Sequence, residues 1–427
     1  MNFGLSVTPY NFQKTGTNFA LSSKYCIIAD QMGLGKTIQA IAVANHTRAK
    51  CLVVCPAFLK LNWVAEIEKL CSQPKHYDLY KKGLDIYSYK PELDDFIIIN
   101  YEQVKHAEDL FAWATLVVAD EGHYLKNGDA QRTIYFDKYL YENQPEYFLL
   151  LTGTPIQNRV EELYQPLVMM SYGNGDNGKN ILDDYPSKTA FCNKFSHQVR
   201  MRINGFMVVK YVGVKNVELL QTYLDGKLIR RLQKDVLDLP DMVESEVIAS
   251  YKQDKKLLRE FENHKEMQGK DITAKAKSAA LKAKFTIQYV KNLLDSGTCE
   301  KVVVFSDHVK PAEEIAAAFG VAAITGKMPM ARRMELVNQF QTGDLPVFCA
   351  TIGAASTGLT LTAANYMVLN DISYVPGNNE QAKKRIMRIG QDKKCNIVFV
   401  VGSFQDAYIL NQVRAKMSDI NEVLNER

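Results

Sequence analysis

The chain of 427 residues carries 52 Lys and Arg against 48 Asp and Glu, a formal net charge of +4, with 23% charged and 47% hydrophobic residues. That balance is close to ordinary globular usage and excludes collagen-like, mucin-like and wholly disordered chains, while the length is a prior for roughly two to four domains. With so small an excess of positive charge, a polyanionic partner must be met by local basic surface.

No stretch approaches the ~18 unbroken apolar residues of a membrane span. The opening Met1-Asn2-Phe3-Gly4 lacks the basic and apolar regions of a secretory signal, which predicts an intracellular, reducing compartment. Eight cysteines without a CxxC pair fit buried thiols, and seven histidines without an HxxxH spacing argue against a metal cage built by the protein alone.

In chain order, short Val- and Ile-rich runs, each followed by a helical pattern, predict parallel strands under crossover helices. The first, Tyr25 to Ala29, leads into Asp30-Gln31-Met32-Gly33-Leu34-Gly35-Lys36-Thr37 and a helix that continues Ile38-Gln39-Ala40-Ile41. Glycines let the backbone wrap a phosphate, and the helix start aims free N–H groups at it. Lys36 can reach the outer phosphates and Thr37 can hold Mg²⁺. The strict GxxxxGK[ST] pattern is missed because Asp30 stands at its first Gly.

Further strands are predicted at Cys51 to Cys55, Phe96 to Ile99 and Leu116 to Ala119, the last running into Asp120-Glu121-Gly122-His123. NTP hydrolysis needs one carboxylate to hold the metal and another to deprotonate water, and Asp120 and Glu121 are placed for those roles. The strand Tyr147 to Leu151 closes the first sheet and leads into Thr152-Gly153-Thr154-Pro155-Ile156-Gln157-Asn158.

From about Arg159 to Glu300 the pattern becomes polar with helical apolar spacing at Leu257, Phe261 and Tyr289, which predicts helical insertions and a linker. Gly173 to Gly178, with three glycines, predicts a surface loop. Strands return at Val302 to Phe305, Val347 to Ala350, Met367 to Leu369 and Ile397 to Val401, a second α/β sheet. In Gln381 to Gln391, Arg385 and Arg388 stand three apart and are predicted to share one helical face. There they are either arginine fingers for a γ-phosphate or part of a basic helix on nucleic acid or in water.

Together these strings resemble the SWI/SNF-like family of superfamily-two helicases over nearly the whole chain. The resemblance also rests on Phe12-Gln13-Lys14-Thr15-Gly16, Cys55-Pro56 through Asn62-Trp63, Asn100-Tyr101-Glu102, Arg230 to Pro240 and Gly358 to Ala364. In that family Asp occupies the loop position where the strict pattern fails. The resemblance implies an α/β fold of two RecA-like parallel-sheet lobes with helical insertions, a P-loop NTPase helicase core. Lobe 1 would span residues 1–160, its helical protrusion 161–229, a linker 230–240, a second helical protrusion 241–298 and lobe 2 residues 299–427.

By motif position, Gln13 is expected to read adenine, and Gly33, Leu34, Gly35, Lys36, Thr37 and Gly358 to bind ATP, with Thr37 and Asp120 on Mg²⁺. Asp120, Glu121, Lys36, Arg385 and Arg388 are the expected catalytic residues. Thr152, Gly153 and Thr154 are expected to couple nucleotide state to DNA grip. Candidate DNA contacts are Lys60, Tyr101, Thr351, Arg332 and Arg333, the last two equally readable as solvated surface.

The string Ser356 to Thr362, with Leu61-Asn62-Trp63 and His123 to Asn127, leans toward the annealing-helicase, fork-remodelling branch. Departures from the family pattern are Tyr374-Val375-Pro376, Lys384 and Met387. The expected function is an ATP-dependent double-strand DNA translocase that remodels DNA or branched DNA without sequence-specific reading. A strand-separating DNA or RNA helicase, or a motor subunit active only in a larger complex, is the alternative. The short chain leaves no room for a further recognition domain, which points to a bacterial or phage protein in the cytoplasm, or to the nucleus if the source is eukaryotic.

Overall fold

A computed structural model describes residues 3–73, 75–79, 96–173, 179–203, 205–249, 268–355 and 359–426. Gly358, most of the glycine-rich loop and the apolar positions Leu257 and Phe261 lie outside the described residues. The chain divides into two compact units, Met1–Val236 with Ser418–Arg427, and Leu237–Met417. Among the described residues no helix is long and apolar enough to cross a membrane.

The first unit is built on a seven-stranded sheet in the order β3-β4-β2-β5-β6-β1-β9. Its strands are β1 (Tyr25–Ile28), β2 (Cys51–Cys55), β3 (Tyr77–Leu79), β4 (Phe96–Asn100), β5 (Leu116–Asp120), β6 (Tyr147–Leu151) and β9 (Leu228–Ile229). Every pairing in it is parallel. The central strands are buried along their length because both faces are covered, so they read as continuous apolar runs. Alternation still sorts their side chains: Cys26 and Ile28 join one core, and Tyr25, Ile27 and Ala29 join the other.

The second unit carries a five-stranded parallel sheet in the order β10-β14-β13-β11-β12. Its strands are β10 (Met242–Ile248), β11 (Val302–Ser306), β12 (Val347–Thr351), β13 (Tyr366–Leu369) and β14 (Cys395–Val401). Two buried clusters cover its faces, one around Phe305 and Phe348 and the other around Val304 and Val398. The molecule thus has the two-sheet α/β architecture that the sequence predicts, with every predicted strand present.

Two stretches expected to be helical are corrected. Residues 161–229 hold short helices but also an antiparallel ribbon of β7 (His197–Ile203) and β8 (Phe206–Val212), and they end in β9, which joins the first sheet. Residues 241–298 do contain the long helix Gln268–Asp295, yet they open with β10. β10 pairs with β14 over seven residues, and its polar sequence follows from its place at the sheet edge, where one side meets water. Arg414 and Lys383 form ion pairs with its Glu246 and Glu244.

Phe148 on β6 is fully buried in the first unit. Phe148→Ala should cost about 3–5 kcal/mol. In urea unfolding of the full chain, the first unit's transition should move while the second unit's holds.

Candidate nucleotide site

The loop after β1 turns into helix α2 (Lys36–Thr47) at the carboxyl end of the first sheet, the edge where parallel α/β sheets place their ligands. Gly33 and Gly35 sit at φ +85° and +73°, a left-handed path closed to most side chains, and this path lets the loop curl before α2 begins. Leu34 is buried, and its carbonyl accepts a hydrogen bond of 3.2 Å from Gln13 Nε2. Gln13, on helix α1 (Asn11–Ser23), is itself buried and accepts the Tyr10 N–H at 2.9 Å, so the residue expected to read adenine is tied through Leu34 to the Gly33–Gly35 loop.

Lys36 Nζ donates to the Asp30 carbonyl at 2.9 Å. Burial lowers its pKa, while the charges of Glu121, Asp30 and Asp120 oppose that shift. This ammonium faces a surplus of carboxylate, a balance that a bound polyphosphate and divalent cation would restructure. Thr37, half-buried in the first turn of α2, and Asp120 at the end of β5 offer the hard oxygen donors that Mg²⁺ prefers. The left-handed cradle, the desolvated lysine and these oxygens fit a magnesium nucleotide.

Asp120 is held from several directions. Trp63 Nε1, on helix α3 (Lys60–Leu70), donates to Oδ2 at 2.9 Å, and the Glu121 N–H donates to Oδ1 at 2.9 Å. Burial and the neighbouring Glu121 push its pKa up to about 6 against those bonds and the Lys36 charge. Glu121 follows in a left-handed conformation, φ +51°, which ends the strand, and Oε2 lies 3.2 Å from His123 Nδ1. β6 runs between β5 and β1, so Thr152 to Thr154 emerge between the carboxylate pair and the phosphate loop. Thr152 is buried and its Oγ1 accepts the Thr154 N–H at 3.1 Å.

The first unit also contains partners that sequence reasoning did not assign to this site. The Asp30 carboxylate is fully buried; Arg231 donates to it through Nε at 2.8 Å and Nη2 at 2.5 Å, and Gln39 Nε2 donates at 2.8 Å. Arg231 also donates to the Phe12 carbonyl and to Gln39 Oε1. Arg230 Nη1 donates to the carbonyls of Ala29 and Gly153 at 2.6 and 3.1 Å, and its Nε bonds Glu426. Gln233 donates through Nε2 to the Met32 carbonyl and through its N–H to Gln31 Oε1, both at 2.8 Å. A charged residue where the strict loop has Gly was the available signal, because a buried carboxylate requires a cationic partner.

Three expected DNA contacts are corrected. Tyr101 is 1% exposed and its hydroxyl donates to the Asp120 carbonyl at 2.7 Å, so it positions β5. Arg333 is buried and closes its own loop through the carbonyls of Thr325, Gly326 and Met328. Thr351 is buried at the end of β12, where Oγ1 accepts the Ala354 N–H. Arg332 reaches the surface and pairs with Glu335, and Lys60 is partly exposed with Nζ 3.3 Å from Gln103 Oε1.

The shared helical face of Arg385 and Arg388 is also corrected. The helix Pro376–Lys383 stops before them, because tertiary bonds replace helical ones. The Arg385 carbonyl accepts the Leu361 N–H, and the Gln391 side chain donates to the carbonyls of Thr362, Ala364 and Ile386. Arg385 is fully buried in the second unit; Arg388 is partly exposed and donates to Thr360 Oγ1 at 2.8 Å.

Arg231→Ala strands the buried Asp30 carboxylate, and removing one member of such a pair costs about 3–5 kcal/mol. The first unit's urea midpoint should fall accordingly. In the double variant with Asp30→Gly most of the loss should return; equal loss in both variants would show that the pair is not the cause.

The sequence pattern of the SNF2-related domain matches residues 12–298, and that of the helicase conserved C-terminal domain matches residues 286–390. The mouse (Mus musculus) DNA annealing helicase and endonuclease ZRANB3 is 30% identical over 427 residues, covering 92% of this chain and 38% of that protein. A Caenorhabditis elegans homolog of SWI/SNF-related matrix-associated actin-dependent regulator of chromatin subfamily A-like protein 1 is 28% identical, covering 97% of this chain and 61% of its own. The Sulfolobus solfataricus SWI2/SNF2 ATPase core in complex with dsDNA is 20% identical, with 99% and 98% of the two chains covered and a TM-score of 0.47. The chain spans about two-fifths of the length of ZRANB3. With the SNF2-related pattern covering most of its residues, the chain belongs to the SNF2-related family.

Proposed function

We propose that this chain is an ATP-dependent double-strand DNA translocase that remodels DNA, including branched DNA. The observation that carries the reading is the convergence of the Lys36 loop, the Asp120–Glu121 pair and the Thr152–Thr154 turn at adjacent strand ends of one sheet. Its relatives support the choice of substrate, since one is named a DNA annealing helicase and another a DNA repair and recombination protein.

In this reading Gly33, Leu34, Gly35 and Lys36 hold the phosphates, and Gln13 orients the base. Thr37 and Asp120 would hold Mg²⁺, which would supply charge neutralisation to the bound phosphates. Glu121 accepts the proton of the attacking water, with His123 beside its carboxylate to fix the direction. Thr152 to Thr154, packed beside that loop, transmit its state toward DNA. Lys60 and Arg332 are the proposed backbone contacts, and binding through phosphates falls steeply with salt. Arg388 is proposed to stabilise charge on the transferred phosphoryl group, and Arg385 to hold that segment in place.

Steady-state ATP hydrolysis with linear duplex, single strands, a fork, a four-way junction and RNA tests the proposal. Duplex or branched DNA should stimulate turnover, and Lys36→Ala should abolish it. Stimulation by single strands or RNA alone would replace the proposal with a strand-separating helicase. A chain silent on every DNA until a partner is added would replace it with a motor subunit. Arg388→Ala should leave nucleotide binding intact and depress hydrolysis by about 10³-fold, the scale of an arginine finger. Intact hydrolysis with weakened DNA affinity would make Arg388 a backbone contact instead.

A further inference from the structure

The ribbon β7–β8 stands apart from both large sheets as a separate two-stranded sheet. Isolated hairpins of this kind are marginally stable in water, and a protein that displays apolar side chains on one has exposed a surface that needs a partner. Here Phe206 is 76% exposed and Met207 66%, both next to the turn, followed by Val208 and Val209 at 39% and 45%. The ribbon's base, by contrast, is anchored. Arg159 Nη1 donates to the Tyr211 carbonyl at 2.5 Å, and Tyr211 Oη donates to Asn193 Oδ1 at 2.8 Å. The Lys215 N–H reaches the Phe195 carbonyl at 2.9 Å. A fixed base under an uncovered apolar tip is the form of a probe rather than of a frayed loop.

The charge pattern says what kind of surface the tip meets. Residues 197–212 contain Arg200, Arg202 and Lys210 and no Asp or Glu, in a chain whose overall charges nearly balance. Register divides these residues between two sides, since directly opposed residues in an antiparallel pair share a face. Arg200 opposes Val209 and Arg202 opposes Met207, which sets both guanidinium groups on one side. Met201 opposes Val208 and Val199 opposes Lys210, and Phe206 lies on that same side, so each side of the ribbon combines apolar and basic side chains. An apolar protein groove would match Phe206 and its neighbours but leave Arg200, Arg202 and Lys210 without an anionic partner. Nucleic acid matches both, because each base has an apolar stacking face and each nucleotide a phosphate.

We propose that this ribbon engages the branch point of DNA, with Phe206 stacking on a base exposed where strands part and Arg200 and Arg202 holding phosphates of the departing strand. The inference rests on the DNA-motor reading above and deepens it: the ribbon supplies preference for branched over linear DNA, while the nucleotide site supplies the motion.

The test uses the full chain without ATP, so that it does not depend on the motor. A fork carrying 2-aminopurine at the branch is titrated with the wild type, with Phe206→Ala/Met207→Ala and with Arg200→Gln/Arg202→Gln, alongside linear duplex. The wild type should change the 2-aminopurine emission. The tip variant should lose that change and bind the fork about 10-fold more weakly, with linear-duplex affinity held within about two-fold. The arginine variant should lower the salt dependence of fork binding by about two phosphate contacts. Wild-type emission change and fork affinity in both variants would overturn the proposal. So would a self-association that only the tip variant abolishes while fork binding stays intact, which would assign the surface to a second copy of the chain. Absence of DNA-stimulated hydrolysis in the wild type would sink the motor reading and leave these binding results to judge the ribbon alone.

Discussion

A carboxylate shut away from water sits at the start of the loop proposed to hold phosphates. Asp30 tolerates that position because Arg231 meets it with two donors and Gln39 with a third. A buried ion pair of this kind contributes little net stability, since desolvation offsets attraction, but it fixes geometry, because neither partner can leave alone. The neighbouring sequence accommodates the pair. Gly16 on α1 has no side chain because a Cβ there would collide with Gln39 and the Arg231 guanidinium. Arg230 ties the end of β1 to the turn after β6 through the carbonyls of Ala29 and Gly153. The segment Arg230 to Gln233 is therefore the back wall of the loop from Asp30 to Gly35, immediately before the boundary between the two units at Val236. Any displacement of that segment acts directly on the carbonyls and side chains that shape the loop.

In front of this wall lies the charge arrangement that the proposed nucleotide would meet. Lys36 is desolvated among Glu121, Asp30 and Asp120, and Asp120 is raised to about 6 by burial and by Glu121. Two neighbouring carboxylates and one ammonium form an uneven arrangement. A bound divalent cation would relieve the repulsion between the carboxylates, and a bound phosphate would give Lys36 an anionic partner in place of a backbone carbonyl. Trp63 and Tyr101 keep β5 in place meanwhile, one through the Asp120 carboxylate and the other through its carbonyl. These are positioning residues, and both come from elements on the β2–β4 side of the sheet, so the site is braced from behind and from the side.

Much of this was legible in the sequence, for physical reasons that differ by residue. Strands such as Cys51–Cys55 and Val302–Ser306 announce themselves because burial on both faces demands unbroken apolar runs. The loop from Asp30 to Thr37 announces itself because its backbone path demands glycine at Gly33 and Gly35. Edge strands do not: β10, with Glu244, Ser245 and Glu246, has one side in water and so lost the apolar signature, and β9 is only two residues long. The ribbon had a signal in Asn204-Gly205 between two Val- and Met-rich runs, the dipeptide of a tight hairpin. Helical spacing around it outweighed that signal. Arg385 and Arg388 fit a helix by spacing, but the Gln391 side chain and the Leu361 N–H bind that segment into turns, and no local pattern carries such long-range bonds. Tyr101 and Arg333 were misassigned for a related reason, since a polar side chain spent on backbone carbonyls looks the same in sequence as one reaching for DNA.

ATP turnover at this site is proposed to move the chain along intact duplex. The most direct measurement is displacement of a third strand from a DNA triplex by the purified chain with ATP and Mg²⁺. Displacement should require hydrolysable ATP and leave the underlying duplex paired. Hydrolysis stimulated by the same DNA with the third strand still bound, or release accompanied by separation of the duplex strands, would contradict that proposal.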